Sequence, residues 1–189
     1  LYLESLGNPL LDMPDLPTLA DLAHARGIRV VVDNTFAPMI LSPLHHGADV
    51  VVHSLTKYVN GTSDCIAGAV VGPRAFIERL NDLHEGTSML LGPVLDPLRA
   101  ASILKNLHSL HVRLRQHGTN AMFVAQHLES QGHLVHYPGL VSHPQHSLMG
   151  GLMNHGYGWG GMLTLDAGTH ERALALMAAM QREQVGYMA

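Results

Sequence analysis

Apolar positions along this chain change period several times, and each change marks an element. Leu16, Leu19, Ala20, Leu22 and Ala23 recur at helical spacing. Asp15 is placed to cap that helix, Pro17 falls in its first turn and Gly27 stops it. Tyr2 and Leu3 before it read as the end of a strand. Ser5 to Met13 is rich in Gly, Pro and Asn and reads as a loop. Ile28 to Val32 and Val50 to Val52 are short β-branched or wholly apolar runs between breakers, the pattern of buried strands. A short turn or helix is expected between them, over Ser42 to Gly47. A further strand is expected at Ile66 to Val71, then a helix from Pro73 to His84.

The second half reads differently. Pro93 to about Glu129 is one long helical stretch with leucines at 98, 104, 107, 110 and 114, and Gly118 is a point where it could break or bend. Leu134 to His136 and Gly161 to Asp166 are expected strands. Gly139 to Met153 is a loop with some helix, and Thr169 caps a last helix to Met180. Alternating strands and helices with continuous apolar strands predict an α/β fold. Its sheet is mainly parallel with helices on both faces, followed by part of a smaller α+β unit. A composition shift near 118 to 132 divides 1–117 from 118–189.

Composition narrows the function classes. The chain has 189 residues, 47% hydrophobic and 14% charged, which suits a well-buried globular protein. A net charge of −4 gives no basic footprint for nucleic acid. No apolar run approaches the roughly 20 residues that span a bilayer. The single Cys65 excludes an internal disulfide framework and fits a reducing, cytoplasmic setting. The 15 histidines are scattered without metal-ligand spacing, so no metal site is expected. Leu1 starts in mid-pattern and the apolar Gln184 to Ala189 carries no stop signal, so the chain reads as an internal piece of a longer enzyme.

The chemistry concentrates after the second buried strand, in His53-Ser54-Leu55-Thr56-Lys57-Tyr58-Val59-Asn60-Gly61. A strand end in an α/β sheet is where ligands sit. A lysine after a strand is ordinarily a solvated surface residue. Two hydroxyls beside its amine, able to donate to phosphate, also suit a Schiff base to a phosphorylated aldehyde cofactor, but spacing alone does not overturn the ordinary reading. Arginine could not serve, because it stays protonated. Asp33, at the end of the strand Ile28 to Val32, is either a turn cap before Asn34-Thr35 or an acid placed to hold a cofactor ring nitrogen protonated.

Ser54-Leu55-Thr56-Lys57-Tyr58-Val59-Asn60-Gly61 resembles the pyridoxal-phosphate attachment signature of the Cys/Met-metabolism (trans-sulfuration) enzymes. Val30 to Pro38 resembles that family's cofactor-ring motif, and Glu4-Ser5-Leu6-Gly7-Asn8-Pro9 its "ES-x-x-NP" segment. The three occur in the family's order and near its spacing. Leu55 and Thr62 depart from the common signature without removing a cofactor ligand.

The resemblance implies a type I fold of the aspartate-aminotransferase kind and pyridoxal 5'-phosphate as cofactor. It gives Lys57 the Schiff base and proton transfer, Asp33 the ring nitrogen, and Ser54 and Thr56 the phosphate. Asn8 would lie near the 3′ oxygen, with Thr35 and Phe36 adjoining the ring. Other phosphate donors would come from a stretch before residue 1 and from a neighbouring subunit, in a homotetramer built as a dimer of dimers.

Asp33 to Met39, His143 to His146 and Gly156 to Met162 are most similar to the plant-type methionine gamma-lyase branch. That implies a sulfur-containing amino-acid substrate, with methionine giving methanethiol, 2-oxobutanoate and ammonia. Cystathionine gamma-lyase or gamma-synthase and O-acetylhomoserine sulfhydrylase stay open as alternatives. So does a non-catalytic paralogue that only associates with full-length subunits.

Overall fold

Asp15 starts the first helix as its position suggests: its carboxylate accepts from the Thr18 N–H at 3.3 Å and the Thr18 hydroxyl at 2.9 Å. The computed structural model describes residues 1–185; the apolar tail 186–189 lies outside the described residues. The strands are β1 (Tyr2–Glu4), β2 (Val31–Asp33), β3 (Val50–Ser54), β4 (Gly68–Val71), β5 (Leu134–His136) and β6 (Thr164–Asp166). The helices are α1 (Leu16–His24), α2 (Arg74–Leu80), α3 (Thr87–Leu91), α4 (Pro97–Ser130), α5 (His146–Leu152) and α6 (His170–Arg182), with a 3-10 turn at Pro43–His46.

Strands β1 to β4 form one sheet in that order. β1, β2 and β3 run parallel, and β4 returns antiparallel to β3. β5 and β6 form a separate antiparallel pair. Val30, Val32 and Val51 project from one face into Leu16, Ala20 and Ala23 of α1. Partners in register share a face, so Glu4, Asp33 and Val52 lie on the other. There Val31, Asp33, Val52 and Ser54 are only half-buried. The site residues are thus carried on the less covered face.

The long helix ties the remaining parts together. Ile103, Leu110 and Leu114 bury with Val59 against the loop that carries Lys57. Further along, Ala121 and Ala125 pack on Val135 of β5 and on Tyr137 and Leu140 in the loop that follows it. Tyr137 is fully buried, and its hydroxyl donates to the Gly160 carbonyl at 2.9 Å.

Several expected boundaries move. β2 begins at Val31 because β1 offers it partners only from Tyr2 onward. Upstream, the Val30 N–H turns to the Asp49 carboxylate instead, at 2.7 Å. β3 runs two residues further than its apolar core, so His53 and Ser54 belong to the strand. β4 starts at Gly68 because the Ala67 N–H and carbonyl are taken by Thr56 and Leu55. β6 pairs only with the three residues of β5 and so begins at Thr164. α2 ends at Leu80, before Asp82 caps a turn through the His84 and Glu85 N–H groups. α3 was not legible.

Gly118 neither breaks nor bends the chain into two helices; α4 passes through it. Its missing side chain has another use. A Cβ there would stand 3.1 Å from Gly158 Cα and 3.2 Å from the Tyr157 carbonyl, so glycine lets the helix touch that loop directly. Nor do all five leucines bury: Leu98, Leu104 and Leu107 face solvent, whereas Leu110 and Leu114 form core.

Leu114 is 1% exposed at the centre of the helix–lysine-loop cluster. Leu114→Ala should lower unfolding free energy by about 2–5 kcal/mol, read from a urea denaturation midpoint at unchanged slope.

Candidate functional site

The site begins from one register. Asp33 pairs with Val52, and the Asn34 N–H donates to the Val52 carbonyl at 2.9 Å. The carboxyl ends of β2 and β3 therefore lie side by side, with Asp33 closing one strand and Ser54 the other. Beyond them the chain turns. Thr35 bridges the two ends: its N–H donates to Asp33 Oδ1 at 2.9 Å, and its hydroxyl accepts from the Ser54 N–H at 2.8 Å. The Tyr2 hydroxyl, on β1, donates to Asp33 Oδ2 at 3.1 Å. Each carboxylate oxygen thus has one bond and a lone pair left.

Asp33, Thr35 and Ser54 line a cavity of about 140 Å³ with Glu4, Leu6 and Phe36. Lys57 and Thr56 line a larger cleft of about 1080 Å³. Phe36 borders both and is the shared wall. The large cleft is also walled by Tyr58, Arg113, His117 and Met162. Four of the five residues picked from sequence are therefore brought together across Phe36.

Their local states differ. Lys57 is exposed, its N–H donating to the Ser54 carbonyl at 3.3 Å, so its amine reaches into the open cleft rather than a dry pocket. The Thr56 hydroxyl is engaged on both sides by Ala67, donating to its carbonyl at 3.3 Å and accepting from its N–H at 3.0 Å. A phosphate on Thr56 would have to exchange for that bond. Asn8 is exposed in its loop and lines neither cavity.

Sequence reasoning missed three contributors. Tyr2 could have been found from strand register, since Tyr2, Glu4 and Asp33 share a face. Arg113 and Asn106 could not, because they reach the lysine loop from α4 with no local signal. Tyr58 is half-buried with its ring edge-on to His117 at 5.7 Å, and burial raises its phenol above the ordinary value. Among the described residues, no group of three or more His, Cys, Asp or Glu could hold a metal ion, and no helix is long and apolar enough to cross a membrane.

The mostly parallel sheet, with an acid closing one strand and a lysine just past the end of its neighbour, fits the type I fold of pyridoxal-phosphate-dependent enzymes. Residues 1–186 match the family model of Cys/Met metabolism PLP-dependent enzymes, and the chain belongs to that family. It is 46% identical over 190 residues to a methionine gamma-lyase of Arabidopsis thaliana, covering 100% of this chain and 43% of that protein. It is 39% identical over 169 residues to a cystathionine gamma-lyase of Dictyostelium discoideum, covering 86% and 41%. The crystal structure of cystathionine gamma synthase from Xanthomonas oryzae pv. oryzae superposes with a TM-score of 0.87 at 34% identity, over 100% of this chain and 47% of that one. The chain thus spans less than half the length of the relatives it matches.

The family's cofactor is pyridoxal 5'-phosphate, and the donor set fits it. A carboxylate with free lone pairs suits a ring nitrogen. A solvent-accessible amine on the adjoining strand end suits an aldehyde.

One further group sets the pH behaviour. His53 leaves Nδ1 buried without a hydrogen-bond partner. Burial lowers its imidazole below the ordinary value of about 6.5, against the opposing pull of Asp33. Below that value the unfolded chain takes a proton that the folded one resists, so stability falls as pH drops through 6.5. Urea midpoints should decline between pH 7 and 5.5. His53→Asn should flatten part of that decline, the remainder coming from His143, which burial lowers in the same direction.

Proposed function

We propose that this chain forms the cofactor-anchoring part of a carbon–sulfur lyase acting on sulfur amino acids, with L-methionine as substrate and methanethiol, 2-oxobutanoate and ammonia as products. The observation that carries the reading is the placement of Lys57 and Asp33 just past and at the ends of adjacent parallel strands. The 46% identity over the full chain to a methionine gamma-lyase favours methionine. The cystathionine gamma-lyase relative keeps cystathionine as the second substrate to assay.

When bound, pyridoxal phosphate supplies an electron-withdrawing ring that makes the substrate's Cα proton removable. Lys57 would anchor the group through its Nζ. As a free amine the same Nζ would be the base that takes the substrate's Cα proton and returns it. Asp33 would pair with the ring nitrogen, its carboxylate oriented by the Thr35 N–H and the Tyr2 hydroxyl. Ser54 and Thr56 would donate to the phosphate, Thr56 after giving up its bond to the Ala67 carbonyl, and Phe36 fills the wall between the two cavities. Asn8 reaches the 3′ oxygen only if its loop moves towards the site.

We also read the whole protein as a cytoplasmic homo-oligomer, a tetramer of two dimers. Ile66, Val94 and Leu98, 89, 86 and 84% exposed, are apolar surface that the rest of the whole protein or a second subunit would cover.

Borohydride reduction after incubation with pyridoxal phosphate, followed by peptide mass mapping, tests the reading. An adduct confined to Lys57 is expected, and its absence in folded whole protein sinks the enzyme. Lys57→Ala should abolish the adduct and lower methanethiol release from methionine by at least about 100-fold. Turnover of cystathionine but not methionine would reassign the substrate alone.

A further inference from the structure

The guanidinium of Arg113 is half-buried and turned into the fold, where most arginines on a long helix extend into solvent. From α4 it enters the turn that follows Lys57. Nη1 donates to the Tyr58 carbonyl at 2.7 Å and Nη2 to the Val59 carbonyl at 3.1 Å. Those are the two peptide carbonyls immediately after the lysine. Its back side is fixed on its own helix: Nε donates to Ser109 Oγ at 3.0 Å, and Nη2 also to the Asn106 carbonyl at 3.3 Å. Burial lowers its pKa, and it makes no ion pair with an acid among the described residues. A half-buried guanidinium with most of its donors spent on backbone carbonyls suits this geometry, since a planar fork can serve two adjacent carbonyls at once.

The turn is shaped to receive it. Gly61, with φ +74°, closes the turn, and a Cβ there would stand 2.2 Å from Arg113 Nη1. About two turns earlier on α4, Asn106 Nδ2 donates to Asn60 Oδ1 at 2.9 Å and to the Thr62 hydroxyl at 3.2 Å. Asn60 is 1% exposed, so this contact anchors the far end of the same turn.

We propose that Arg113 is a positioning residue for Lys57: by holding the carbonyls of residues 58 and 59 it fixes the backbone that aims the lysine amine into the cleft. The proposal rests on the reading that Lys57 carries the cofactor. Arg115 on the same helix is the natural control. It holds a different loop, donating to the Gly156 carbonyl at 2.8 Å and lying over Tyr157, and it does not line the cleft.

The test uses the whole protein in wild-type, Arg113→Met, Arg113→Lys and Arg115→Met forms. Three readouts are compared: the concentration of pyridoxal phosphate that half-saturates borohydride trapping at Lys57, the rate at which Lys57 is acylated in the cofactor-free protein, and the cofactor-free melting temperature. Arg113→Met should raise the half-saturating concentration about tenfold or more, the scale of one lost charge-assisted bond. It should also change the Lys57 acylation rate. Arg113→Lys should recover part of both, while Arg115→Met lowers the melting temperature and leaves both as in wild type.

Wild-type trapping in folded Arg113→Met overturns the proposal, as does an equal loss in Arg115→Met. If Arg113→Met does not fold, Arg113→Lys decides alone: unchanged trapping and acylation overturn the proposal, and a partial loss supports it. If wild type itself gives no adduct at Lys57, the cofactor reading fails. The acylation rates then still decide whether Arg113 positions the lysine.

Discussion

The pairing of β2 with β3 is the constraint on which the site depends. It is parallel and in register from Val31 opposite Val50 to Asp33 opposite Val52. A shift by one residue would turn Asp33 to the face packed on α1, where a carboxylate would lie among Leu16, Ala20 and Ala23. The buried valines of that face hold the register, and Thr35 locks its open end by bonding both Asp33 and Ser54. Apolar burial on one face thus decides where the chemistry on the other can be.

The long helix acts at a second level. Its first half bears on the lysine turn through Ile103, Leu110, Leu114 and Arg113, and its second half bears on β5 through Ala121 and Ala125. The glycine contact at 118 and 158 draws the loop Gly156 to Met162 against the same helix, placing Met162 on the wall of the cleft. Residues more than a hundred positions apart therefore share one rigid mount.

Much of this was legible in the order of residues. The strand cores and the caps at Asp15 and Thr169 follow from short-range patterns, whereas the grouping of Lys57, Asp33, Ser54 and Thr56 rests on the family resemblance of their segments rather than on spacing. What escaped has a common cause. Strand ends depend on what the neighbouring strand offers, so Val31 rather than Ile28 opens β2. The face of α4 depends on what packs against it, so leucines at equal helical merit divide between core and solvent. Arg113 and Asn106 act across distances in sequence where no spacing rule operates. Thr56 shows the same limit at short range: its hydroxyl type suggested phosphate, while the fold engages it with Ala67.

The antiparallel return of β4 has a consequence for the order in which the molecule assembles. β1, β2 and β3 can pair only after the long crossovers 5–30 and 34–49 have closed, whereas β3 and β4 are joined by residues 55–67 alone. Short closures lose less chain entropy and form sooner. The hairpin that holds the lysine is thereby the shortest closure in the sheet, though shorter than the β2–β3 crossover by only three residues, roughly a few tenths of a kcal/mol of chain entropy. Its turn can take shape locally, tied by Thr56 and Ala67, before the distant helix arrives.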